Sequence, residues 1–397
     1  MSTEGLEAGM ARLRRVMADQ VERGAMPGLI ALVAHQHRAH IEVAGTLDFG
    51  DATPMPQDAV FRIASLTKPI IAAAVMILVD DGTLRLGAPV DDLIPELANR
   101  RVLTSLDAKI DDTVPARRPI TVEDLLTFRL GFGCIMAPPD TYPIQTAVEN
   151  LHLATLGPPW PPTPHTPDEW MARLATLPLM EQPGERWRYN SGAHILGVLV
   201  ARAAGKPLEA FLRERLFDPL GMPDTGFSVQ PGQPDRMTTA YSPDPESGAL
   251  TVLDGVDNSH WSRPPAFPDA GGGLLSTIDD YWAFVQMMVN RGLHHGRRLL
   301  SETSVQLMTT NHLTPEQRAA SALFLGDGGW GYLMAAPTAR SSVPRGFGWD
   351  GGTGTTWRSD VDNDLTGILF TQRAATSPQP AQVLLDFWSC VYQAIGA

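Results

Sequence analysis

Cysteine is nearly missing from this chain: Cys134 and Cys390 are the only two in 397 residues, too few and too far apart for a disulfide framework or a thiolate metal site. Basic residues are also in short supply. Thirty-one Lys and Arg stand against 44 Asp and Glu, a formal charge of −13 with no basic cluster to interrupt it, which disfavours nucleic-acid and anionic-membrane partners. Long apolar runs are lacking too. The longest, residues 70–79, is about half of the ~20 residues a membrane span needs. The N-terminus carries Leu6, Met10, Leu13, Val16 and Met17 at helical spacing among charges, without an apolar stretch leading to a small-residue cleavage site. It is expected to form an amphipathic helix of a mature, cytoplasmic protein. No internal repeat is visible. The chain that remains is 43% hydrophobic and long enough for one large domain or two with a substantial core.

The most informative stretch is F-R-I-A-S-L-T-K, residues 61–68, followed by the apolar run closed by Asp80, Asp81 and Gly82. It predicts a helix starting at Ser65 and buried on most sides, with Pro69 in the first turns where a missing N–H costs little. Residues three apart share a helical face, so the Ser65 hydroxyl and Lys68 amine point into the same space. Such a pair reads as a nucleophile beside a base if burial lowers the amine's pKa. Taken alone the motif reads better as an N-cap beside a surface lysine, because an isolated S-x-x-K arises by chance in most chains of this length, and the rest of the chain has to decide.

Along the rest of the chain, residues 28–34 and 39–44 read as a hairpin turning through His35, Gln36 and His37. His35, His37 and His40 lack a carboxylate or a closed ligand set and are expected to be solvated rather than metal ligands. Composition changes over residues 83–184: Pro and Asp rise, and helices are expected only at 121–128 and 170–177. The proline-rich stretch 156–170, which contains Trp160 and Trp170, fits a cleft wall or a rigid linker about equally well. Helices are further expected at 191–204, with Gly205 beyond its end, at 207–217, at 276–290 capped by Ser276 or Thr277, and at 379–395. Short strands are expected at 329–334, 345–349, 355–359 and 365–372. Strands at both ends with helices between imply an α+β fold whose antiparallel sheet joins the N-terminal hairpin to the C-terminal strands. The division expected is 1–82 with 265–397 as the sheet subdomain and 83–264 as a mostly helical, loop-rich insert that covers the other side of Ser65.

Three distant segments fit one chemistry: Ser65 with Lys68, Tyr189-Asn190-Ser191 ahead of a helix, and F-G-W-D-G-G-T-G-T-T-W at residues 347–357. Together with I-T-V-E-D-L-L-T-F at 120–128, R-L-F-D-P-L-G-M-P-D-T-G-F at 215–227 and G-G-G-L-L-S-T-I-D-D-Y at 271–281, they resemble, over about residues 26–373, the serine β-lactamase and penicillin-binding-protein superfamily. The resemblance is nearest to the class C β-lactamase-like family VIII carboxylesterases. It implies a β-lactamase-like fold and an acyl-enzyme mechanism without cofactor or metal. Ser65 would be the acylated nucleophile, Lys68 and Tyr189 the proton-transfer groups, either of which can be the first base, and the backbone N–H groups of Ser65 and Gly352 the oxyanion hole. Ser191, Trp349, Asp350 and Gly351 would contact substrate.

The departures bear on substrate. Where relatives acting on β-lactams present K-T-G or H-T-G, this chain has Trp349-Asp350-Gly351, so the cation that would meet a substrate carboxylate is absent. Asp350 would further repel an anion unless Arg345 or Arg358 offsets it. Ser191 stands where β-lactamases commonly have asparagine. With no G-x-S-x-G elbow of an α/β-hydrolase, the expectation is hydrolysis of small uncharged carboxylic esters. Amide or β-lactam hydrolysis, D-amino-acid peptidase activity and acyl transfer are the enzymatic alternatives, and a silent binding protein the non-enzymatic one.

Overall fold

The computed structural model describes residues 3–36, 38–153, 162–230, 232–341 and 343–396. His37 and the 156–161 part of the proline-rich stretch, Trp160 included, lie outside the described residues. A seven-stranded antiparallel sheet organises the chain, in the order Gly329–Trp330, Ala335–Ala336, Phe347–Gly351, Thr355–Asp360, Leu365–Thr371, Gly28–His35 and Arg38–Gly45. The N-terminal hairpin pairs directly with the last strand, from Leu29 opposite Thr371 to His35 opposite Leu365. This is the α+β arrangement expected from strands at both chain ends.

The strand Gly28–His35 is apolar on successive residues because both of its faces are covered. Leu29, Ala31 and Val33 pack with Met10, Leu13 and Met17 of the helix Thr3–Glu22 and with Val383, Phe387 and Val391 of the helix Gln382–Ile395. Ile30 and Leu32 face the opposite way, into the main core with Ile368 and Phe370. The helix Thr67–Asp80 lies in that core, buried at every residue from Thr67 to Leu78. An all-round apolar helix needs such a place. Among the described residues no helix is long and apolar enough to cross a membrane.

Several boundaries differ from those expected. The helix expected to start at Ser65 starts at Thr67, and Ser65 sits in a 3-10 turn, Ala64–Leu66, without a side-chain cap. The strand expected over 329–334 stops at Trp330, with Leu333 in the left-handed region at φ 56°. Between residues 83 and 264 the sequence pattern missed the helix Pro143–Asn150 and the strand pair Ala240–Pro243 and Leu250–Asp254. Those segments are short and half-exposed, so periodicity carries little signal. Caps were more legible: Thr277 accepts the Asp280 N–H at 3.2 Å, and Thr121 with Asp124 forms a capping box.

Candidate active site

The turn that carries Ser65 is fastened from three directions. From the sheet, Thr353 donates its hydroxyl to the Arg62 carbonyl and Thr355 donates to Ile63 O at 3.1 Å. From the segment leading into Leu275–Ser276, Ile63 N–H donates to Leu274 O and Leu274 N–H donates to Thr67 Oγ1, both at 3.1 Å. Tyr281 donates to Leu66 O at 3.2 Å. These bonds hold Ala64 at φ 44°, a conformation a non-glycine residue adopts only when its surroundings impose it. Arg62, almost wholly buried, pairs with Asp254, which also accepts from Ser259 Oγ at 2.7 Å. The turn is thereby tied to the strand Leu250–Asp254.

Lys68 is fully buried, with Nζ 2.8 Å from Ser65 Oγ and donating to the Gly271 carbonyl. Neither half of the capping-and-surface alternative describes this geometry: Ser65 caps nothing and Lys68 meets no solvent. Desolvation lowers the ammonium's pKa to about 7, against the opposing pull of Asp269. A large share of the lysine is therefore a neutral amine near neutrality. The Tyr189 hydroxyl donates to Ser65 Oγ at 2.9 Å and accepts from Trp349 Nε1–H at 2.8 Å. Burial raises the phenol well above its ordinary pKa, and the hydrogen bonds to Ser65 and Trp349 only partly offset that, so Tyr189 stays protonated. Its ring is held by Phe128 edge-on at 5.6 Å and by Phe324 stacked at 4.9 Å. One proton arrangement satisfies every group: Trp349 donates to Tyr189, Tyr189 to Ser65, Ser65 to the neutral amine, and the amine to Gly271 O.

Ser65 and Tyr189 open into a cleft of about 300 Å³, which Trp349, Asp350, Gly351 and Gly352 also line. Met136, Phe324 and Leu384 supply an apolar wall. A Cβ on Gly351 would stand 2.1 Å from Thr355 Oγ1 and 2.5 Å from Ile63 O, so only glycine lets this strand run so close to the nucleophile's turn. Asp350 accepts from Arg358 at 2.9 and 3.1 Å and from Thr356 at 2.6 Å. Arg358 thus offsets its charge. The structure therefore brings together Ser65, Lys68, Tyr189, Trp349, Asp350, Gly351 and Gly352. Ser191 is elsewhere: fully buried in the first turn of the helix Ser191–Ala204, it is not among the cleft-lining residues. A larger depression of about 780 Å³ shares no residue with the cleft. Among the described residues no three His, Cys, Asp or Glu side chains gather as a metal site.

Sequence reasoning did not single out Met136, Phe324 or Leu384 for the cleft, nor the half-buried Asp269 and the buried His194 behind Gly271. Phe324 lies in the short helix Ala322–Leu325, whose four residues carry no recognisable pattern. Asp269 precedes the triple glycine, and that proximity was the one available signal.

The fold and this hydrogen-bonded serine, lysine and tyrosine define a class, and the chain belongs to it: it is a member of the Beta-lactamase family, whose model matches residues 13–384. Within the family it is similar to Protein Rv1367c of Mycobacterium tuberculosis, 37% identical over 379 residues that cover 92% of this chain and 90% of that protein. Esterase EstB of Burkholderia gladioli is 29% identical over 388 residues, again 92% of this chain and 90% of the relative. Among solved structures, that of EstCE1, a hydrolase with promiscuous acyltransferase activity, superposes with a TM-score of 0.78 at 21% identity, covering 98% of this chain and all of the other. At that identity the likeness is one of fold.

Proposed function

We propose that the protein is a serine hydrolase that cleaves uncharged carboxylic esters through an acyl-enzyme at Ser65. The observation that carries this reading is the unbroken chain Trp349–Tyr189–Ser65–Lys68, which ends in a buried amine with a pKa of about 7. Lys68 Nζ takes the Ser65 proton as Oγ attacks the ester carbonyl. The oxyanion is met by the backbone N–H groups of Ser65 and Gly352. Collapse expels the alcohol, which receives a proton passed from Lys68 through Tyr189. Water then enters, gives up a proton along the same route to Lys68 and attacks the acyl carbon, and collapse releases the acid as Lys68 returns that proton to the departing Ser65 Oγ. Tyr189, held protonated by its burial, serves as relay, and Lys68 is the first base.

Ester rather than amide or β-lactam chemistry is favoured by Trp349, which occupies the place of a carboxylate-binding cation and hydrogen-bonds Tyr189. The apolar wall of Met136, Phe324 and Leu384 agrees with it, as does the kinship over nearly the whole chain with EstB, an esterase. Acyl transfer to a second alcohol needs no further catalytic group, because that alcohol would enter where water does. The promiscuous acyltransferase activity of EstCE1, which shares the fold, accords with this second reading.

Intact-mass analysis after treatment with a fluorophosphonate or p-nitrophenyl ester should find one adduct at Ser65, and Ser65→Ala should lose both the adduct and the product burst. No adduct on the folded parent would sink the proposal. Turnover of nitrocefin as fast as that of a p-nitrophenyl ester would move the assignment to amide chemistry.

A further inference from the structure

Acylation and deacylation leave unused a half-buried acid and a buried histidine packed against Lys68's carbonyl partner. Asp269 Oδ1 accepts the Gly271 N–H at 2.6 Å and faces His194 Nε2 at 3.1 Å. The other polar end of the same glycine, its carbonyl, takes the Lys68 hydrogen bond. A Cβ on Gly271 would sit 3.0 Å from Asp269 Oδ1, His194 Nε2 and Asn190 Oδ1 alike, so the pair is in direct contact with the residue on which the lysine rests. His194 is 3% exposed on the helix Ser191–Ala204 that follows Tyr189, its ring 5.6 Å from Trp170 and 6.0 Å from Phe267. Neither His194 nor Asp269 lines the Ser65 cleft.

A carboxylate in such surroundings is costly unless other groups compensate it. Burial raises the pKa of Asp269, but His194, Lys68 and the Gly271 N–H outweigh burial and hold it below the usual carboxylate range. The interaction is mutual: of the groups around Lys68, Asp269 is the one whose charge pulls the amine back toward its protonated form. The remaining neighbours supply no comparable charge. Ser65 and Tyr189 are neutral hydroxyls, Cys134 beside Tyr189 has its thiol pushed up to about 12, and Asp350 is paired with Arg358.

We propose that Asp269, oriented by His194, is a positioning residue for the acylation step: its charge governs the protonation of Lys68, and its hydrogen bond to Gly271 fixes the carbonyl that aims the amine at Ser65. It touches neither substrate nor the reacting oxygen. The inference rests on the reading of Ser65 as the acylated nucleophile, with Lys68 as its base. It adds a carboxylate-dependent control that the three main motifs do not contain.

The test is the pH dependence of the acylation burst with a p-nitrophenyl ester, read beside intact mass at Ser65. In the parent the burst rate should rise through a single ionisation near neutrality. Asp269→Asn keeps size and an acceptor but removes the charge, so the amine should lose its proton more readily and the acid limb should move down by about one pH unit. Asp269→Glu, which restores the charge, should bring the limb back toward the parent's. A merely structural role would lower the rate in both variants without moving either limb. A limb in Asp269→Asn within about 0.2 unit of the parent's, with the adduct still formed, overturns the inference and leaves the esterase reading intact. If Asp269→Asn does not fold, Asp269→Ser carries the same expectation. His194→Gln retains an N–H for the carboxylate and should leave the limb in place; a limb that follows His194 instead would take the role away from Asp269. Absence of any Ser65 adduct in the parent is a different failure, that of the underlying function.

Discussion

Trp349→Phe isolates one hydrogen bond. The indole is 6% exposed, lies 5.9 Å from the Tyr189 ring and 4.7 Å edge-on from Trp330, and donates Nε1–H to the Tyr189 oxygen at 2.8 Å. Phenylalanine keeps an aromatic ring in that place and removes the donor. Tyr189 then has a buried oxygen that accepts from nothing, and its own O–H is no longer held on the line to Ser65 Oγ. Leaving a buried acceptor unpaired costs about 1–3 kcal/mol. If the loss is felt in the transition state, kcat falls about 5- to 150-fold. KM should change little, because the ring still forms the cleft wall. The assay is steady-state hydrolysis of p-nitrophenyl butyrate with a burst measurement to separate acylation from deacylation. A kcat within twofold of the parent, or a loss carried wholly by KM, would show that Trp349 is wall and not part of the proton chain.

Three further outcomes are expected. Lys68→Arg keeps the charge but cannot act as base at accessible pH, so kcat/KM should drop by at least about 10²- to 10⁴-fold; activity within a few-fold of the parent refutes the assignment. Because desolvation lowers Lys68 to about 7 and only the free amine accepts the serine proton, kcat/KM should be low at acid pH and rise through pH 7. A profile flat between pH 5 and 9 excludes it. Asp254→Ala strands the buried Arg62 guanidinium and should cost about 3–5 kcal/mol in a urea titration. A loss under about 1 kcal/mol would mean that water or another residue takes over the pairing.

The residues that gather at the head of the cleft were more legible in the sequence than the walls around them. Ser65, Lys68, Tyr189 and Gly352 stand in segments whose residue types are fixed by short-range demands: a one-turn spacing, a helix start, a strand that must tolerate a close neighbour. Trp349 was visible as a departure, yet its bond to Tyr189 needed coordinates, because nothing in a W-D-G string says which way the indole turns. Arg345 and Arg358 stood as alternatives to offset Asp350, and the structure pairs it with Arg358. Ser191 shows the limit of motif transfer, since the residue two places after Tyr189 enters a buried helix turn. Phe324, Met136 and Asp269 come from segments with no local pattern, and His194, although on the expected helix 191–204, meets Asp269 through tertiary packing alone. The start of the nucleophile's helix moved by two residues for a related reason. Threonine hydroxyls from the distant sheet hold Ala64 in a conformation that helix propensity would not select.

The pairing of the first strand with the last has a kinetic consequence. Leu29 opposite Thr371 joins the two ends of the chain, so the N-terminal hairpin emerges from synthesis long before the neighbour that covers its exposed edge. Contacts of such sequence separation form late and slow folding, and an apolar edge strand waiting for its partner is prone to pair with other chains. Loss of the last strand or of the helix Gln382–Ile395 should therefore yield insoluble protein and not a weakened enzyme, although neither supplies a catalytic group. Ser65 labelling during cell-free synthesis would then report the moment at which the sheet closes.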